Sequence, residues 1–155
     1  MRSRFNKPID VKVKWADLGY QPETISLLFV VPLVEVAWAE GFVQHAERKT
    51  ILRLAADLQI TADRDGYADL LNWLDERPSD EFFHSATELL SRWLETMTPV
   101  QSESLRNVLL IGCVEVARSS ANIGLHPQAE RIRREERDQL FRLGSRLGFA
   151  PALAA

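Results

Sequence analysis

The sequence predicts an all-α domain of six or seven helices, and three observations carry that prediction. Apolar residues recur at spacings of three and four along most of the chain and alternate only briefly, over residues 9–15. Proline, glycine and capping residues cut that pattern into segments of helical length. One phrase occurs twice, each time near the end of an apolar helix: Val34-Glu35-Val36-Ala37 returns as Val114-Glu115-Val116-Ala117.

Taken in order, residues 1–20 form a basic N-terminal extension, 21–149 the helical domain and 150–155 a frayed tail. A first, central helix is expected over residues 22–40, with Pro22 tolerated in its first turn and Gly41 closing it. A second runs from about residue 44 to 59. The polar stretch 61–66 leads into a third at 67–76, which Arg77-Pro78-Ser79 stops. Ser79 is the expected N-cap of the fourth helix, which puts Phe82, Phe83, Ala86, Leu89, Leu90, Trp93, Leu94 and Met97 on one broad face. Thr98-Pro99-Val100-Gln101 is a start signal: threonine can cap, proline fits the first helical position, and glutamine can reach back. It opens a fifth helix to about residue 119. A loop over 120–128 precedes a charged sixth helix that starts between residues 129 and 135 and ends near Gly148.

The register of the repeat is set downstream of the repeated phrase. After Glu47, apolar residues fall at +4, +5, +7 and +11 (Ile51, Leu52, Leu54, Leu58), and the same offsets after Glu136 give Leu140, Phe141, Leu143 and Leu147. Glu47 therefore matches Glu136, and Arg48 matches Arg137, with a loop nine residues longer in the second unit. Two such helix-loop-helix units flanking the third and fourth helices predict a bundle with a pseudo-twofold axis.

Composition narrows the function. The chain has 155 residues, 46% hydrophobic and 26% charged, enough apolar material for one domain with a core. A net charge of −3 gives no polyanion-binding surface, and the run 129–142 alternates in sign, which excludes a nucleic-acid stripe. The single cysteine, Cys113, excludes an intramolecular disulfide framework, and no signal-peptide pattern follows the basic N-terminus, so a cytoplasmic location is expected. The greasiest run, residues 25–39, is shorter than the roughly 20 residues a spanning helix needs. It also contains Pro32 and Glu35, so no transmembrane segment is expected.

The phrase PLVEVAWAEG, a V-x-x-x-E-R opening of the next helix, the WL-x-x-RPS turn and a second V-A … E-R unit resemble the TerB-like family, the tellurite-resistance-associated helical domain. The resemblance covers residues 27–148. It implies an all-α fold with two similar halves and no catalytic activity. It also implies protein partners in a bacterial stress response, with a place in a membrane-associated complex allowed, and divalent-cation binding through acidic residues. The family phrase has A-W-A-D-G, so its acidic position falls on Glu40 and the next helix-start acid on Glu47. The second half keeps Glu136 but has no acid matching Glu40, a departure from two equal sites.

Read residue by residue, Glu35 is the anomaly. Its helical stripe is Thr24, Leu28, Val31, Trp38 and Ala39, so a buried carboxylate there must be neutral, paired or used as a ligand. The most economical partner is an arginine from a helix-opening Glu-Arg pair, Arg48 or Arg137. Its repeat mate Glu115 borders a polar stripe, and exposure accounts for it. Glu47 and Glu136 also suit the third position of a helix, where a carboxylate bonds back to the cap. Glu40 at a helix C-terminus is disfavoured by the dipole. A Ca²⁺ or Mg²⁺ held between Glu40 and Glu47 would explain it.

The rival class is a carboxylate-bridged di-metal enzyme, because Glu81 and His84 have Glu-x-x-His spacing. On the wheel His84 shares the outward face with Glu88, Ser91 and Glu95, and no second copy exists, so the di-metal reading is set aside. His45 and His126 lack partners at zinc spacing. Cys113 reads as a buried small hydrophobe.

Overall fold

A computed structural model describes residues 10–121 and, beyond them, the helical and exposed Asp138 and Arg142. The described residues form six α-helices and two 3₁₀ segments and contain no strand. The helices are α1 (Val11–Asp17), α2 (Val31–Ala37), α3 (His45–Asp57), α4 (Tyr67–Asp75), α5 (Asp80–Glu95) and α6 (Pro99–Ala121). The 3₁₀ segments are Pro22–Phe29 and Trp38–Glu40, on either side of α2. The expected last helix and tail, with Glu136, Arg137 and His126, lie outside the described residues.

The single helix expected over residues 22–40 is three pieces. Pro22–Phe29 is 3₁₀, and the chain bends by 48° before Val31. Pro32 supplies the reason: it has no N–H for a bond to the carbonyl four residues back, and its ring would crowd that carbonyl of Leu28. It is accommodated instead in the first turn of a new helix. Gly41, at φ 92°, ends the Trp38–Glu40 turn in the left-handed region, where glycine carries no steric penalty.

The segment expected to be an extension contributes α1. Its apparent alternation is a short amphipathic helix: Asp10 caps it by accepting from the Val13 N–H at 3.2 Å, Val11 and Trp15 are buried, and Val13 is exposed. Trp15 joins Tyr20, Trp73 and Phe82 in an aromatic cluster and stacks on Tyr20 at 4.6 Å between ring centroids. Three indoles have partners that satisfy their buried N–H groups: Trp15 donates to Thr24 Oγ1 at 3.0 Å, Trp73 to the Tyr20 hydroxyl at 2.9 Å, and Trp38 to the Trp73 carbonyl at 2.7 Å. Burial pushes the Tyr20 phenol above the ordinary tyrosine range, against the bond from Trp73 that pulls it down.

The remaining helices start where their caps predict. Ser79 Oγ accepts from the Phe82 N–H at 3.0 Å, and Thr98 with Gln101 makes the reciprocal pair of bonds at 3.2 and 3.4 Å that opens α6. Gly66, at φ 94°, precedes α4. A Cβ there would lie 3.1 Å from Leu27 Cδ1 and 3.2 Å from Thr24, so glycine is required on both counts. α5 buries Phe83, Ala86, Leu89, Leu90 and Leu94 as its apolar face demands. α2 is the central rod, packed on α6, α5 and α3. Both copies of the repeated phrase thus sit on helices that touch. Val36 and Val116 are buried, as are Ala37 and Ala117, while Glu35 and Glu115 are each half-buried.

Candidate functional site

Two of the acidic residues singled out by sequence, Glu40 and Glu47, flank the α2–α3 turn. Glu47 is 2% exposed, and its Oε1 accepts from the Gln44 N–H at 2.9 Å, closing the first turn of α3. This is the reach-back arm of a capping box, so the buried carboxylate has a structural use. Glu40 is half-buried at the end of the 3₁₀ turn, with one oxygen inaccessible, and takes part in an interaction of its own. A hard cation such as Ca²⁺ takes six or more oxygens. Among the described residues no group of three or more His, Cys, Asp or Glu stands together to hold a metal. One Glu47 oxygen is committed to the cap, and among the described residues Glu40 and Glu47 have no third His, Cys, Asp or Glu beside them to complete a cation site.

The arginines expected beside Glu35 are Arg48 and Arg137; Arg137 lies outside the described residues, and Arg48 is engaged elsewhere. Arg48 Nη1 reaches Asp75 Oδ1 at 2.7 Å and ties α3 to α4 instead. The α4 C-terminus brings a carboxylate to the start of α3, which the repeat register could not reveal. Glu35 has one inaccessible oxygen and an interaction of its own. Its charge also reaches Cys113: burial first, and then the Glu35 carboxylate, pushes that thiol up to about 12. Glu115 pairs with Arg53 across α3 and α6, with both side chains substantially exposed. His84 lies 3.7 Å from Glu88 on the outer face of α5, and Glu81 is exposed, so this pair does not face the core.

Cys113 offers a direct check on this packing. At pH 8 a thiol with a pKa near 12 holds roughly a thousandfold less thiolate than an ordinary one. Labelling of the native protein by a thiol-specific disulfide reagent should therefore be slower than that of the urea-unfolded chain by at least this factor. Equal rates would show that α6 is not packed as described.

The surface carries a feature the sequence reading missed. Between α3 and α6 runs an apolar groove with a cavity of about 100 Å³. Leu54, Asp57 and Leu58 form one wall, Phe29 and Leu33 the floor, and Leu105, Val108, Leu109 and Gly112 the other wall. The α6 residues sit at i, i+3, i+4 and i+7, the four positions that bound a hole for an incoming side chain. Gly112 lets α6 approach its neighbours closely: a Cβ there would stand 3.1 Å from Leu33 Cδ2 and 3.7 Å from Leu54 Cδ1. Beside it, Val108 and Ile111 are 56% and 62% exposed. The sequence signals only the exposed aliphatic pair, since Val108 and Ile111 fall off the stripe of Leu105, Leu109 and Val116 that faces the core.

No helix among the described residues is by itself long and apolar enough to cross a membrane. Comparison of the chain with protein-family models, curated proteins and solved structures gave no match.

Proposed function

We propose that this chain is a non-enzymatic, TerB-like binding or scaffold module that works through protein contacts, in the bacterial stress-response setting the family resemblance implies. The observation that carries the reading is the α3–α6 groove, an apolar surface with a preformed hole and flanking exposed aliphatic side chains. The ionisable groups support it by their uses: Glu47 closes a helix, Arg48 and Asp75 join two helices, Glu115 and Arg53 join two others, and Cys113 is core.

The test places a photo-crosslinking amino acid at position 108 or 111 in cells that make the protein, with position 95 on α5 as the control. The expected result is a discrete adduct from 108 and 111 and none from 95. No adduct at either groove position would overturn the reading.

A further inference from the structure

We draw no further inference here: the strongest candidate, the apolar groove between α3 and α6 lined by Leu54, Leu58, Leu105 and Leu109, already carries the proposed function, and nothing in the structure shows what covers it.

Discussion

Trp15→Ala should lower the unfolding free energy by about 3–5 kcal/mol, the range for truncating a large buried aromatic. For a domain whose total stability is about 5–15 kcal/mol, that is a third or more of the whole. The size follows from position: Trp15 is fully buried, stacks on Tyr20, meets Trp73 edge-on and donates to Thr24. Removing the indole empties the centre of the aromatic cluster and leaves the Thr24 hydroxyl, itself 4% exposed, without its donor. Trp15→Phe should cost less, because it keeps most of the ring contact and gives up the hydrogen bond. Val13→Ala, on the same helix but 52% exposed, should change stability by about 0.5 kcal/mol or less. Urea unfolding of the three variants decides the matter. A Trp15→Ala loss no larger than that of Val13→Ala would mean that α1 is an appendage and that the domain begins after it.

That outcome bears on which parts of the fold were legible. The starts of α3, α5 and α6 were readable because Glu47, Ser79 and the Thr98/Gln101 pair act on their own neighbours, and local chemistry is written locally. α1 was not, because in seven residues a helical Val11–Trp15 pair and a strand-like Val11–Val13 pair look alike. Beside the local Asp10 cap, the cluster formed with Tyr20 nearby and with Trp73 and Phe82, distant in sequence, favours the helix. The break before Val31 was half-legible. Pro32 was visible, but a proline can either kink a helix or start a new one, and packing chooses between them.

The candidate site divides the same way. Glu47 as a cap could be read from its place in α3. The Arg48–Asp75 pair could not, because it depends on where α4 ends in space relative to where α3 begins. The groove was hidden for a like reason: Leu54 and Leu58 belong to α3 and Gly112 to α6, and their facing one another is a tertiary fact.

Adding a carboxylate to α2 one residue beyond Glu35 should be strongly damaging. Val36→Glu is expected to cost about 3–5 kcal/mol at pH 7, as an uncompensated charge buried in a core does. Adjacent residues on a helix are about 100° apart, and that rotation separates the two positions physically. Val36 is 0% exposed, whereas Glu35 is half-buried at an edge of the rod where its charge reaches the buried thiol of Cys113. A greasy helix can therefore keep one carboxylate, provided it stands at position 35.

The pH dependence gives the sign. A glutamate at position 36 would be held protonated by burial, with a native pKa above the ordinary value of about 4.3. Between these two values the native state binds more protons than the unfolded chain, so the penalty grows as pH rises through that window and fades as pH falls toward 4. Urea midpoints of Val36→Glu and wild type should thus converge on acidification from pH 7 to 4.5. A Val36→Gln variant, of similar volume but without a charge to lose, should show no such convergence. A Val36→Glu protein as stable as wild type at pH 7 would mean that the inner face of α2 is wet.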